Sequence, residues 1–156
     1  GRLHDLEDAV LLPRIDALFG AFDLLDHAHG RLATFSKGMR QKVLVAAALV
    51  HDPAVVFLDE PLTGLDVESA VLVKTLLAAL AARGRTILYS SHVLDVVERL
   101  CTRVLIVDKG SLVADGSPEA LKARTRGTSL EAVFQDLTHA DRVEPRVERI
   151  LDGLGA

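Results

Sequence analysis

The chain has 156 residues, of which 49% are hydrophobic and 26% charged. That is enough apolar material for a packed core, and it excludes a disordered or low-complexity segment. The net charge of -4 argues against binding nucleic acid by bulk charge, and a single cysteine, Cys101, excludes an internally disulfide-stapled fold.

Residues 1–35 read as helical, because Leu11, Ile15, Leu18, Phe19 and Phe22 recur at three- and four-residue spacing. Pro13 interrupts that pattern and predicts a helix start or break, and Gly20 and Gly30 read as turn or cap positions. Ser36 precedes a helix running to about Val50, whose almost wholly apolar second half, Val43 to Val50, predicts burial around most of its circumference. Ala54-Val55-Val56-Phe57-Leu58 has the pattern of a short strand buried on both faces, ending in Asp59, Glu60 and Pro61. Glu68 to Arg83 is an amphipathic helix with Gly84 as its C-terminal cap.

Thr86 to Ser90 is a second buried strand, His92 to Leu100 a helix, and Arg103 to Asp108 a third strand. Lys109-Gly110 turns that strand into Ser111 to Ala114 as a hairpin. Ser117-Pro118-Glu119 opens another helix, with proline at its first position. Thr128 with Glu131 suggests a capping box for a helix over 129–138, and the charged remainder reads as helical. Alternating strands and helices from 54 to 108 predict an α/β core with a mostly parallel sheet. In such sheets ligands sit at the carboxyl ends of the strands, where Asp59-Glu60 and Ser90-Ser91-His92 fall. No apolar run reaches the roughly 18 residues of a membrane span, and the N-terminus carries neither a signal peptide nor a starting Met.

Four elements in order carry the chemistry. They are Phe35-Ser36-Lys37-Gly38-Met39-Arg40-Gln41-Lys42, then Val55 to Pro61, then Leu62-Thr63-Gly64-Leu65-Asp66, then Ser90-Ser91-His92. Together they closely resemble the second half of an ABC-type ATPase domain, over roughly residues 1–125. The resemblance implies an incomplete P-loop NTPase fold: a mostly parallel sheet flanked by helices, with part of the helical subdomain. Residues 1–50 would be helical subdomain and signature helix, 51–125 α/β core, and 126–156 a C-terminal helical tail.

Each element has a physical reading beside the inherited one. A carboxylate after a strand suits a hard cation, and the resemblance makes Asp59 the Mg²⁺ residue. It makes Glu60 the general base that polarises the attacking water. By themselves the two would read as solvated acids at a strand end. Ser36 opens a helix whose free N–H groups attract an anion, and Gly38 lets the backbone approach a phosphate. The resemblance assigns Ser36, Lys37 and Gly38 to the signature motif, which meets the γ-phosphate of ATP held by the opposite subunit. Lys37 stands where glycine is usual and Met39 where glutamine is usual, which reads as a subtype mark. His92 corresponds to the switch histidine that touches the γ-phosphate. Asp66 corresponds to the aspartate of the D-loop that crosses the dimer interface, and it also suits a helix N-cap. His4, His27, His29, His51 and His139 match nothing, and Cys101 reads as a half-buried structural thiol.

A P-loop is missing. The five lysines follow Ser36, Gln41, Val73, Asp108 and Leu121, so Gly-Lys-Ser/Thr occurs nowhere. The Q-loop and the adenine-stacking aromatic also lack counterparts, so the motif order together with the non-Met Gly1 leads to the expectation of a cut between the Q-loop and the signature motif. The expected whole is an ATP- and Mg²⁺-dependent subunit of a bacterial exporter. It would pair head to tail with a second ATPase subunit and dock on a membrane permease at the cytoplasmic face, with no nucleic acid partner. The tail Ser129-Leu130-Glu131-Ala132-Val133-Phe134 points to the same branch. The 156 residues alone are expected to hydrolyse no ATP. One alternative is a non-catalytic module that only dimerises or docks. Another is an ABC-type ATPase of DNA repair or translation, which the absence of heptads, cysteine clusters and basic patches disfavours.

Overall fold

The computed structural model describes residues 1–125, 127–138 and 144–154, so His139 lies outside the described residues. The chain divides into two compact units, the first spanning Gly1–His92 and the second beginning at Val93.

The first unit contains helix α1 (Asp8–Ala21), helix α2 (Lys37–Leu49), strand β1 (Val55–Asp59), helix α3 (Val67–Ala82) and strand β2 (Thr86–Ser90). β1 and β2 pair in parallel from Val55↔Thr86 to Asp59↔Ser90, with α3 as the crossover. The register sets the carboxyl ends of both strands side by side. α3 buries Ser69, Val73 and Leu77, one residue per helical turn. Gly84, at φ 83, ends it. Its N–H reaches the Ala81 carbonyl and that of Arg85 reaches Leu80, which satisfies two otherwise orphaned acceptors.

Three expectations for this unit change. Pro13 neither starts nor breaks a helix but sits inside α1. The carbonyl it leaves unpaired belongs to exposed Ala9, where water can take the place of the missing donor. The apolar end of α2 buries only Val45 and Ala46 within the helix, while Leu44 stays 63% exposed. β1 is buried on one face alone: Val56 and Leu58 point inward, and Phe57 is 73% exposed. β2 likewise leaves Leu88 exposed. A continuous apolar run specifies a strand suited to two covered faces, but this sheet has two strands, and among the described residues nothing covers its second face.

The second unit contains helix α4 (Leu94–Leu100), strand β3 (Val104–Asp108), strand β4 (Ser111–Gly116), and helices α5 (Pro118–Thr125), α6 (Leu130–Thr138) and α7 (Glu144–Leu154). β3 and β4 form the expected hairpin, through Lys109 at φ 49 and Gly110 at φ 79. Both left-handed positions match the twist of a two-residue turn. Among the described residues β3 pairs with β4 alone, so the parallel sheet there is the single pair β1–β2. α5 starts at Pro118 as expected, with the Ser117 hydroxyl accepting from Ala120 N at 3.2 Å. α6 is capped by Ser129 rather than Thr128. The Ser129 oxygen accepts from Ala132 N at 3.2 Å, and Glu98 takes the Leu130 N–H at 3.0 Å. Glu98 also receives Lys122 Nζ at 2.5 Å, which ties α4, α5 and α6 together around Leu121, Leu130 and Val133.

Among the described residues, no helix is long and apolar enough to cross a membrane.

Candidate functional site

The site begins where the parallel strands end. Asp59 and Ser90 are register partners, and the Ser90 hydroxyl donates to Asp59 Oδ1 in a short hydrogen bond. One residue later the chain turns sharply. Glu60 lies at φ 46, a left-handed conformation that costs a non-glycine residue of order 1 kcal/mol and needs surrounding support. That support is local. Glu60 N donates to the Ser90 carbonyl at 3.1 Å, Thr63 N closes the turn onto the Glu60 carbonyl at 3.1 Å, and Pro61 is fully buried.

The turn aims the Glu60 side chain at the segment after β2. Its Oε1 accepts from His92 N at 2.8 Å and meets His92 Nδ1 at 2.6 Å. An ionised carboxylate has no proton to give, so Nδ1 is the donor and Nε2 is left facing away from this contact. Its Oε2 lies 3.4 Å from both the Thr63 and the Ser91 hydroxyls. The hydrogen bond from the His92 ring, more than any other cause, holds the Glu60 carboxyl below the usual carboxylate range. The helix expected from His92 begins only at Leu94, and the His92 N–H is engaged by Glu60.

A second cluster forms around the start of α2. Ser36 caps that helix by accepting from Met39 N at 3.1 Å, which leaves its own O–H free to donate elsewhere. Gly38 packs so closely on the 62–66 loop that an added Cβ would lie 2.7 Å from the Gly64 carbonyl oxygen. Gly64, at φ 81, is in turn covered by the methylenes of Lys37. Asp66 caps α3, accepting from the Ser69 N–H and hydroxyl at 2.8 Å each. Those bonds, with Lys42 Nζ at 3.6 Å, lower its pKa to about 2. Lys42 also donates to the Phe22 carbonyl.

Asp59, Glu60 and His92 therefore share one cluster, and Ser36, Lys37, Gly38 and Asp66 share the other. Gln41 lies between them, its Nε2 reaching the Glu60 carbonyl at 3.5 Å. Sequence reasoning named none of Thr63, Gly64 or Gln41 as site residues, although all three lie inside the motifs. Ser90 could have been found from strand register, which pairs it with Asp59.

Among the described residues, no group of three or more His, Cys, Asp or Glu could hold a metal by itself. A single exposed carboxylate, Asp59, fits a Mg²⁺ ion that takes its remaining ligands from phosphate and water.

The chain is similar to known proteins. Residues 8–63 match the family model described as ABC transporter. The chain is 38% identical over 134 residues to the ABC transporter ATP-binding protein NatA of Bacillus subtilis, covering 86% of this chain and 54% of that one. It is 36% identical over 153 residues to the daunorubicin resistance ATP-binding protein DrrA2 of Streptomyces coeruleorubidus, covering 98% and 48%. A solved structure of an ATP-binding subunit of an ABC transporter superposes with a TM-score of 0.77 at 32% identity, covering 88% of this chain and 60% of that one. The chain thus spans about half the length of these curated relatives.

Two outcomes follow from the second cluster. Helix propensity alone would make Gly38→Ala stabilising by about 1 kcal/mol. The 2.7 Å approach to a backbone oxygen reverses the sign, so urea denaturation should show a net loss of about 1–2 kcal/mol. Asp66 has a depressed folded-state pKa, so its stabilisation is complete above its ordinary value of 3.8 and lost as pH falls through about 2. The stability gap between the parent and Asp66→Ala should therefore be full at about pH 6 and shrink steadily below about pH 4 in parallel urea titrations.

Proposed function

Since the chain belongs to the ABC transporter ATP-binding family, we propose that it supplies the hydrolytic residues of an export-type transporter ATPase. The observation that carries this reading is the contact between Glu60 and His92 beside Asp59, at the paired carboxyl ends of two parallel strands.

In this reading Glu60 is the general base. It accepts a proton from water as the water oxygen bonds to the γ-phosphorus, and the bond from that phosphorus to the bridging oxygen of ADP breaks. The carboxylate is suited to this because it is ionised and its hydrogen bonds fix it in place. His92 uses Nδ1 to hold Glu60, which leaves Nε2 to meet a γ-phosphate oxygen. Asp59 would hold Mg²⁺, which neutralises developing charge on the phosphates when bound. Ser36, Lys37 and Gly38 would contact the γ-phosphate of ATP carried by the opposite subunit, with the free Ser36 hydroxyl and the α2 N–H groups as donors. Asp66 would order the loop that crosses between subunits.

The working assembly would be a head-to-tail dimer of ATPase subunits docked on a membrane permease, peripheral to the cytoplasmic face. Closure around ATP and reopening after hydrolysis would drive the permease. Residues 1–125 would act as the ATPase part and 126–156 as a helical tail. The P-loop must come from outside residues 1–156, because no Gly-Lys-Ser/Thr occurs among them. The names of the relatives support export: one is a daunorubicin resistance protein, and another, from Rhizobium leguminosarum bv. viciae, is a Nod factor export ATP-binding protein 43% identical over 121 residues.

In a subunit that carries a P-loop, Glu60→Gln should lower ATP turnover by about 100-fold or more while the ATP-bound dimer still closes. Turnover at the parent rate would remove Glu60 from the role of base. Purified residues 1–156 should release no phosphate from ATP and Mg²⁺. Turnover by them that Glu60→Gln abolishes would overturn the need for an external P-loop.

A further inference from the structure

The two oxygens of the Glu60 carboxylate are held differently. Oε1 takes two strong donors from His92, at 2.8 and 2.6 Å. Oε2 meets the hydroxyls of Thr63 and Ser91, each at 3.4 Å, the long limit of a hydrogen bond. Oε1 is therefore crowded with donors, and Oε2 is the oxygen with lone-pair capacity left for a water. The two hydroxyls approach that oxygen from different chain segments, one before α3 and one after β2.

Thr63 is tied to Glu60 through its own backbone. Its N–H closes the turn onto the Glu60 carbonyl at 3.1 Å, so its backbone position follows from the same left-handed turn that aims Glu60. The side chain that reaches Oε2 thus belongs to the unit that positions the carboxylate. A methyl in place of the hydroxyl would keep the shape and the turn. It would remove a donor on Oε2 whose own backbone N–H is bonded to Glu60.

We propose that Thr63 is a positioning residue for ATP hydrolysis: its hydroxyl orients Oε2 of Glu60, the oxygen that faces the attacking water. The proposal rests on Glu60 being the base. Without the Thr63 donor the carboxylate pivots about its Oε1 contacts to His92, and Oε2 loses its fixed direction. A misdirected base impairs the chemical step without altering how tightly ATP is held.

The test is made in a subunit that carries a P-loop, assembled with its permease, by measuring ATP turnover for Thr63→Val, Thr63→Ser and Glu60→Gln. Thr63→Val should lower kcat about tenfold with KM for ATP unchanged. Thr63→Ser, which keeps the donor, should restore most of kcat. Combining Thr63→Val with Glu60→Gln should leave ATP-driven dimer closure intact, because the threonine hydroxyl acts on the chemistry and not on folding or assembly. Parent-like kcat in Thr63→Val overturns the proposal, as does equal loss in Thr63→Ser. Failed closure in the double variant would show that Thr63 is structural and would also overturn it. Parent-like turnover in Glu60→Gln would instead overturn the reading of Glu60 as base, on which the proposal stands.

Discussion

The cluster at the strand ends depends on one carboxylate meeting a residue 32 positions away: Glu60 Oε1 on the backbone and ring of His92. Neither partner is positioned by its own element. Glu60 lies one residue past β1 and His92 two residues past β2, so the contact exists only because the strands pair in parallel and in one register. A slip of one residue would carry every side chain of a strand to the opposite face. The crossover helix α3, capped at one end by Asp66 and closed at the other by Gly84, holds that register.

One local departure from ordinary preference lies at the same contact. Glu60 adopts a left-handed backbone that a glycine would take more easily, which turns the chain sharply at a strand end so that its side chain faces the neighbouring strand's extension. Backbone strain held in place by several hydrogen bonds is the arrangement expected where geometry matters to function. Around the second cluster the constraint is different in kind. Gly38 and Gly64 are needed because two loops touch, backbone to backbone and backbone to Lys37, with no room for a Cβ.

Most of the elements could be read from sequence, because their signals are local. Ser36 and Asp66 announce helix starts through side chains that reach only three residues ahead. Lys109-Gly110 announces a hairpin because two consecutive left-handed positions admit few residues. The misreadings were of burial and of neighbours. The Ala54–Leu58 run specifies a strand, but not its open face at Phe57. Pro13 looked like a boundary but sits in a helix whose exposed flank tolerates a missing hydrogen bond. Thr128 and Ser129 both had the chemistry of a cap, and the placement of Leu130 against Glu98 decided between them.

The sequence by itself determined which chemical groups are present and in what order: two acids after one strand, a histidine after the next, a serine and glycine at a helix start, and no Gly-Lys-Ser/Thr. These are properties of residue type and spacing, which need no third dimension. Only the tertiary structure decided which oxygen of Glu60 faces His92, that Thr63 and Ser91 flank the other, and that Gly38 rests on Gly64. Those relations join residues from three to 32 positions apart, through strand register and loop packing. A distance of 2.6 or 3.4 Å is set by where the backbone goes and is not encoded in any short stretch of residues.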